Sequence, residues 1–403
     1  MNKIKEILLK FKYELSVFAA LSMNFLLFFT KEELMSDILY PLHLVDVRIG
    51  LISRTLVGSI SGLLWEHPTK ENIFFMQAAV TALTFILTSL FLGKCIKNAE
   101  EKSGRALFII SLIISVFPYG FMTFINLFEL LDIYWVMTVA LILLVSDSEA
   151  AVILIPILIF TGSWVHYSFF LAFMPVIYIM CFGKCIKEKS RLSYILTAVT
   201  VTVSVPVVLY FVLTQRIPDT EKFDSFIKYI IEKAGSEITN IERYVGMGFR
   251  STEKMKELYD LQEINSDIPE LFKLLIGNFR FALRDTSITA IICDFILVSP
   301  VVVFFESVWK TAIKAAEDKK EKFLYFLTAI TPVIQLIACF TSSDTSRWLS
   351  LMVISQLFIL ALFVRNKDRY VSEGLRKLTD RLEKYKAPLI FVLIFYLSIV
   401  FVW

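Results

Sequence analysis

Long apolar segments fill most of this chain, and they decide what it can fold into. Hydrophobic residues make up 57% of its 403 residues, and its mean hydropathy is +0.68. A helix needs roughly 20 apolar residues to cross a hydrocarbon core about 30 Å thick. Eleven segments are candidate spans: Leu15–Thr30, Ile73–Gly93, Ala106–Phe128, Ile133–Val145, Ala151–Val165, Ser168–Phe182, Ser193–Leu213, Ser287–Trp309, Phe323–Phe340, Leu349–Val364 and Pro388–Trp403. The sequence therefore predicts an all-α, polytopic transmembrane protein of the cell membrane and excludes a soluble globular protein.

The positions of Lys and Arg predict the orientation of the spans, because cytoplasmic loops retain positive charge. Placing the N-terminus inside puts most of the 41 basic residues inside, including those between Arg365 and Lys386. Much of the remainder lies in one long loop that also contains many acidic residues. Basic residues in long loops have little effect on orientation. The sequence therefore predicts the N-terminus inside and the C-terminus outside.

This topology divides the chain into three parts. Residues 1–213 form an N-terminal transmembrane module with a long first outer loop, residues 31–72. Residues 214–286 form an extracytoplasmic helical loop, and residues 287–403 form a C-terminal transmembrane module. We expect interfacial helices in the outer loops, since their apolar stretches also carry charges. Ile133–Val145 and Ala151–Val165 are short, so they are either two spans or a hairpin that does not fully cross.

Charge and histidine positions limit the partners of the chain. A net charge of +3 is too small to indicate nucleic acid, and membrane lipid accounts for the basic residues inside. His43, His67 and His166 lie apart, which gives no support for a zinc site. Glu129 and Asp132 at i, i+3 either are solvated, bind a cation or act as a base. We therefore expect no cofactor, with a divalent cation left open.

The middle of the first outer loop is apolar enough to lie at the membrane interface, yet it carries three charges, Asp46, Arg48 and Arg54. Asp46 is followed by Arg48, and Arg54 shares a helical face with Gly58 and Gly62 at i, i+4 and i+8. Small residues on that face allow close approach of another helix or a lipid chain. Arg54 either borders that contact or anchors an interfacial helix at lipid headgroups.

Two later outer segments carry further candidate site residues. His166 follows Trp164 at the outer end of a span, where an imidazole either orients or protonates a substrate oxygen or forms a hydrogen bond across a helix pair. The loop Thr341–Trp348 holds Asp344 and Arg347 at i, i+3. These two side chains either pair with each other or leave Arg347 to hold a phosphate, which its planar fork suits better than a lysine does.

Charges also occur near and inside one late span. Arg280 and Arg284, at i, i+4 above this span, either bind a lipid pyrophosphate or anchor a helix end to headgroups. Asp294 lies well within the span, and a carboxylate inside a membrane is costly and usually functional. Asp294 is either a proton or cation site of a transporter, or it pairs with an outer Arg and lines an enzyme cavity.

The layout resembles that of the GT-C class of glycosyltransferases, in which a long first outer loop carries an acid such as Asp46 near the membrane. The segment His166–Ser168, which leads into an aromatic span containing Pro175, and the loop Asp344–Trp348 resemble bacterial polysaccharide polymerases of the EpsG and Wzy kind. This resemblance implies transfer of sugars from a polyprenyl-phosphate-linked donor to a glycan acceptor outside the cytoplasm.

The resemblance also implies roles for the candidate residues. Asp46 would be the base that activates an acceptor hydroxyl, with Arg48 as its orienting partner or a phosphate ligand. His166 would contact the donor or acceptor sugar. The residues expected to bind substrate or its pyrophosphate are Arg54, Arg280, Arg284, Asp344 and Arg347.

Two other functions fit the same chain. A transporter or flippase for a lipid-linked glycan would carry charges along a path through the membrane, as Asp294 does. A scaffold within a larger glycan-export complex would leave Asp46 and Arg347 replaceable.

Overall fold

The computed structural model describes residues 6, 8–25, 35–36, 39–128, 130–214, 220–235, 238, 241, 288–339 and 344–384. Within these ranges the chain is all-helical, without a β-strand. The described α-helices are α1 (Lys12–Met23), α2 (Thr55–Leu64), α3 (Lys70–Asn98), α4 (Glu101–Val116), α5 (Thr123–Asn126), α6 (Asp132–Val145), α7 (Ala151–Val165), α8 (Phe169–Lys187), α9 (Arg191–Leu213), α10 (Thr220–Ala234), α11 (Ile288–Ala315), α12 (Lys319–Cys339), α13 (Thr345–Arg365) and α14 (Arg369–Lys384). Two 3-10 helices, Tyr40–His43 and Val47–Ile49, precede α2.

Six of the described helices are long and apolar enough to cross a membrane: α3, α8, α9, α11, α12 and α13. This is the architecture of a multi-pass membrane protein, so the all-α class predicted from the sequence is confirmed. The eleven predicted spans are not confirmed, because several apolar segments form shorter helices. The last predicted span, Pro388–Trp403, lies outside the described residues, and the orientation of the bundle stays a prediction.

The predicted span Ala106–Phe128 is interrupted at a proline and a glycine. Helix α4 ends at Val116, just before Phe117-Pro118, because a residue that precedes proline avoids the α conformation. At Gly120 the backbone lies so close to α4 that a Cβ would stand 2.1 Å from the carbonyl oxygen of Ile114. The chain therefore leaves the helix there and resumes with the single turn of α5.

Helices α6 and α7 are too short for a standard span. They contain 14 and 15 residues, and at 1.5 Å per residue each is only about 21–23 Å long. The two helices pack against each other, and α6 also packs on α3. Their lengths agree with both interpretations of this pair, two short spans or a hairpin that does not fully cross.

Helix α13 is the central helix of the bundle. Every residue from Trp348 to Arg365 is buried, and α13 packs against α3, α8 and α12. Buried polar side chains fix its neighbours, as when the Trp309 indole donates to Gln356 Oε1 at 2.7 Å. Arg347 and Arg365 mark its two ends, about 27 Å apart along the axis at 1.5 Å per residue. The helix therefore presents one arginine at each end of the bundle.

The small residues near Arg54 were predicted to admit another helix or a lipid chain, but Gly58, in α2, admits the backbone of a loop instead. Arg54 precedes α2, which begins at Thr55, so it does not share a helical face with Gly58 and Gly62. A Cβ at Gly58 would lie 1.8 Å from the carbonyl oxygen of Val45, so α2 packs directly on the backbone of the preceding loop. The Ser61 hydroxyl donates to the carbonyl of His43 at 2.8 Å. This contact holds residues 43–46 against α2 and determines where Asp46 lies.

Candidate functional site

Arg347 and Asp132 form a buried ion pair where α6 and α13 begin. Arg347 Nη2 donates to Asp132 Oδ1 at 2.7 Å, and Arg347 Nε donates to Asp132 Oδ2. Arg347 Nη1 also contacts Asp344 Oδ2 at 3.3 Å, so the ion pair within the loop, one of the two alternatives, is present. Asp132 is 1% exposed, so the alternative of a solvated carboxylate is wrong. The contact between these two helices is stronger than the contact within the loop, and sequence spacing did not reveal it.

Two tryptophans frame this ion pair. The Arg347 guanidinium carbon lies 5.8 Å from the centre of the Trp135 ring and 5.5 Å from that of Trp348. Within the described ranges, the indole N–H groups of Trp135 and Trp348 and the hydroxyl of Thr345 are buried without a hydrogen-bond partner. Buried donors are normally paired, so these groups mark a place where a polar ligand would be stabilised.

His166 joins this group through Trp135 and Arg54. Its ring lies 5.5 Å from the ring of Trp135, and its Nε2 lies 2.5 Å from Arg54 Nη2. The backbone N–H of Ser168 donates to its Nδ1 at 3.1 Å. Both ring nitrogens of His166 thus face donors, since a guanidinium has no acceptor. The protein positions this ring, and its contact with a sugar stays a prediction.

The backbone around Arg54 is fastened to the corner between α7 and α8. Arg54 adopts a left-handed conformation with φ 74°, and its N–H donates to the carbonyl of Trp164 at 2.8 Å. The Trp164 indole donates to Thr55 Oγ1 at 2.8 Å, and the N–H of Tyr167 donates to Ser53 Oγ at 2.9 Å. Arg54 is therefore held beside His166 and within electrostatic range of Asp132.

We call the set assembled by these contacts the Arg–Trp cluster. Its members are Arg54, Asp132, Trp135, His166, Asp344, Arg347 and Trp348. Arg54, His166, Asp344 and Arg347 are candidate substrate residues from the sequence, and Asp132 is named there as a possible cation ligand or base. Sequence reasoning missed the two tryptophans, although both lie near helix ends rich in aromatic residues.

Asp46 lies in a separate network, with Arg48, Tyr229 and Lys233. It accepts hydrogen bonds from Arg48 Nη2 at 2.8 Å, from the Tyr229 hydroxyl at 2.5 Å and from Lys233 Nζ at 2.9 Å. Lys233 also donates to the carbonyl of Gly58 at 2.9 Å. The network therefore ties α10 to α2 and to the first outer loop. We call these four residues with charged or phenolic side chains the Asp46 network.

This environment bears on the predicted role of Asp46 as a base. Burial opposes its ionisation, but hydrogen bonds from Arg48, Tyr229 and Lys233 outweigh burial and hold the pKa of Asp46 well below its usual range. A general base works best with a pKa near the operating pH and within reach of the substrate. Asp46 is 3% exposed and fully engaged, so the geometry favours a structural role, and catalysis by Asp46 stays a prediction. Arg48 is 64% exposed and paired with Asp46.

The remaining candidates have other outcomes. Arg280, Arg284 and Glu129 lie outside the described residues. Asp294, in α11, accepts a hydrogen bond from the Tyr119 hydroxyl at 2.7 Å. This contact is with a phenol and not with the outer arginine that one alternative predicted. In the part of the chain that the structure describes, no three His, Cys, Asp or Glu side chains are grouped to hold a metal ion.

The fold and the cluster define a multi-pass helical membrane protein with a buried arginine, aspartate and tryptophan site at one end of its bundle. No family model matches the chain, and neither a curated protein nor a solved structure is significantly similar to it. The chemistry of the site itself is therefore the guide to function.

Proposed function

We propose that the protein is a membrane glycosyltransferase or glycan polymerase that transfers sugar from a polyprenyl-phosphate-linked donor to a glycan acceptor on the extracytoplasmic face. The observation that carries this proposal is the Arg–Trp cluster, which joins two guanidinium groups, two carboxylates and two tryptophans at one bundle end. A lipid-linked sugar donor presents the matching groups, namely a phosphate, hydroxyls and the apolar face of a sugar ring.

Arg347 and Arg54 are the proposed phosphate ligands. A guanidinium carries five N–H donors, so Arg347 serves Asp132 and Asp344 and still offers N–H groups to a phosphate oxygen. Charge-assisted contacts from arginine to phosphate are among the strongest hydrogen bonds in proteins. As the bond to the sugar breaks, negative charge develops on the lipid phosphate, and fixed guanidinium groups stabilise that charge.

Trp135 and Trp348 are the proposed sugar contacts. Tryptophan offers an apolar ring face together with one N–H donor, and both indole N–H groups are without a partner among the described residues. Both side chains are buried, Trp135 at 0% and Trp348 at 5% exposure, so a sugar would reach them only when the cluster opens. Its hydroxyls would then accept hydrogen bonds from the indoles. The hydroxyl of Thr345, one turn before Trp348, offers a further polar contact.

Asp344 is the proposed general base. Its side chain is 47% exposed and lies 3.3 Å from Arg347, whereas Asp132 is buried in a two-point ion pair. The Asp344 carboxylate would take the proton of the acceptor hydroxyl, the hydroxyl oxygen would bond to the anomeric carbon of the donor, and the lipid phosphate would leave with the bonding electron pair. Asp46 then acts as a positioning residue, since its network holds α2 and hence Arg54 in place.

The test is glycan transfer by purified protein in liposomes, with the lipid-linked donor pool of the native cells supplied on the outer-facing leaflet. Asp344→Asn keeps the size of the side chain but removes the proton acceptor, so turnover should fall roughly 10²–10⁴-fold. Asp318→Asn is the matched control, because Asp318 is exposed in the loop between α11 and α12. Unchanged transfer by Asp344→Asn would remove Asp344 as the base.

The second candidate function is a transporter or flippase for a lipid-linked glycan, and the contact between Tyr119 and Asp294 favours it. Asp294 lies about 9 Å along α11 from its first residue, at 1.5 Å per residue, and its Oδ1 accepts from the phenol of Tyr119. Carboxylates inside the membrane mark ion and substrate pathways, and a transporter would move the glycan without forming a bond. Asp294→Asn should then abolish leaflet exchange, and the unaltered protein should transfer no sugar in the liposome assay.

A further inference from the structure

A cleft at the opposite end of the bundle is lined by positive charge. Lys184 and Lys187 lie one turn apart on the last part of α8, and Arg365 is the last residue of α13. These three side chains line a small cleft that opens to the surface. Its apolar wall includes Met180, Leu362 and Phe363. The cleft thus has a basic mouth and an apolar side.

Asp147 is the main counter-charge of this mouth. It lies in the loop between α6 and α7 and accepts hydrogen bonds from Lys184 at 3.0 Å, Arg365 at 3.1 Å and Lys94 at 3.2 Å. Glu188 adds a contact to Lys184 at 3.2 Å. One carboxylate is therefore shared by three cations from three helices.

Lys187 has its own acidic partner, Asp368. Asp368 also accepts from the Tyr325 hydroxyl at 2.7 Å, so its charge is divided among several donors. The ion-paired group contains the cations Lys94, Lys184, Lys187 and Arg365 and the carboxylates Asp147, Glu188 and Asp368. Glu321 also acts electrostatically on Lys187.

Arg365 carries a nitrogen that the protein leaves without a partner. Its side chain is 4% exposed, its Nη2 donates to Asp147, and its Nε contacts Asn366 Oδ1 at 3.4 Å. Within the described ranges, Nη1 is buried and has no hydrogen-bond partner. An unsatisfied buried donor on a charged group is expensive, and an anion that reaches Nη1 from the cleft would satisfy it.

We propose that this cleft binds a phosphate group, which either an anionic phospholipid headgroup or a soluble phosphate ion can supply. The guanidinium fork of Arg365 matches two phosphate oxygens, and Lys184 and Lys187 add point charges beside it. Basic pockets between membrane helices on the cytoplasmic side are known binding places for anionic headgroups, and the predicted topology puts this end inside. Met180, Leu362 and Phe363 offer apolar contact to an acyl chain. This site is independent of the proposed sugar transfer.

The experiment measures retention of defined lipids by the purified full-length protein. Delipidated protein in detergent is mixed with phosphatidylglycerol or with phosphatidylcholine, and bound lipid is counted by native mass spectrometry. In a parallel arm, inorganic phosphate is added at fixed ionic strength and the melting temperature is recorded. Tighter retention of phosphatidylglycerol than of phosphatidylcholine supports a lipid source. A rise in melting temperature with phosphate, without selective lipid retention, supports a soluble source.

Two substitutions at Arg365 decide whether the cleft is responsible. Arg365→Gln removes the charge, and Arg365→Lys keeps a charge beside Asp147 while removing the fork and Nη1. Both should weaken binding of the effective probe about tenfold or more. Arg369→Gln is the matched control, since Arg369 is 67% exposed at the same end of the bundle, and it should bind as the unaltered protein does. Equal binding by both Arg365 variants, or no selectivity for either probe, would overturn the proposal.

Discussion

Asp132 and Arg347, 215 residues apart in the chain, form a buried two-point ion pair that joins the beginnings of α6 and α13. The ends of the same two helices are joined again by Asp147, just after α6, and Arg365, at a distance of 3.1 Å. At each end of the bundle, therefore, an aspartate at one end of α6 pairs with an arginine at one end of α13. The two proposed sites use the arginines of these two contacts.

The Asp132–Arg347 pair should dominate the stability of its end of the bundle. Asp132→Asn leaves the buried guanidinium of Arg347 without its main counter-charge, which typically costs about 3–5 kcal/mol. The free energy of unfolding in detergent is the measurement. Asp380→Asn is the control, because Asp380 is 53% exposed and its contact with Lys102 is 3.7 Å long. If Asp132→Asn lowers the free energy of unfolding no more than Asp380→Asn does, the Asp132–Arg347 pair does not stabilise the fold as proposed.

Gly58 should tolerate no side chain. A Cβ there would stand 1.8 Å from the Val45 carbonyl oxygen, and backbone cannot move aside cheaply. Gly58→Ala is therefore expected to lower the free energy of unfolding by about 1–3 kcal/mol. It should also displace Asp46. Gly183→Ala is the control, since the nearest atom to its Cβ, in Leu324, is 3.8 Å away. Equal stability of the two variants would show that α2 does not pack on this loop.

The Asp46 network should give a pH-dependent contribution to stability. Since the pKa of Asp46 is lowered in the folded protein, its contribution is complete above the unfolded pKa of about 3.9 and is lost as pH falls below that value toward the folded pKa. The expected size is on the order of 2 kcal/mol.

The measurement for this network compares the free energy of unfolding of the unaltered protein with that of Asp46→Asn/Lys233→Gln, in which both charges are removed together. The advantage of the unaltered protein should be constant above about pH 5 and shrink below about pH 4. An advantage that grows on acidification would show that Asp46 is not held ionised by its neighbours.

The sequence predicted the helical class and several members of the Arg–Trp cluster, because hydropathy and residue type are local properties. It did not predict that Arg347 would pair with Asp132, since that contact depends on how α6 and α13 pack. The sequence did not predict two partners of Asp46 either. Tyr229 and Lys233 lie 183 and 187 residues away from Asp46, and no sequence pattern links them to it. Span ends were misjudged where proline and close backbone contact interrupt apolar segments.

The predicted orientation can be tested with cysteines introduced at exposed positions near each end. Leu63 in α2 is 86% exposed, and Glu149 is exposed in the loop that follows α6. In a background without the native cysteines, Leu63→Cys should react with a membrane-impermeant thiol reagent in intact cells. Glu149→Cys should react after permeabilisation. The reverse pattern would place the Arg–Trp cluster inside and remove it from extracytoplasmic chemistry.

Binding of polyprenyl pyrophosphate tests most directly whether the Arg–Trp cluster holds a lipid-linked phosphate. The dissociation constant is measured in nanodiscs for the unaltered protein and for Arg54→Asn, because asparagine tolerates the left-handed conformation of Arg54. Arg369→Gln is the control, because Arg369 is 67% exposed and belongs to neither proposed site. Loss of one charge-assisted contact costs about 1.5–3 kcal/mol, so Arg54→Asn should bind roughly 10–150-fold more weakly, and Arg369→Gln should bind normally. Equal affinity of Arg54→Asn and the unaltered protein, or equal affinity for uncharged polyprenol, would contradict the account.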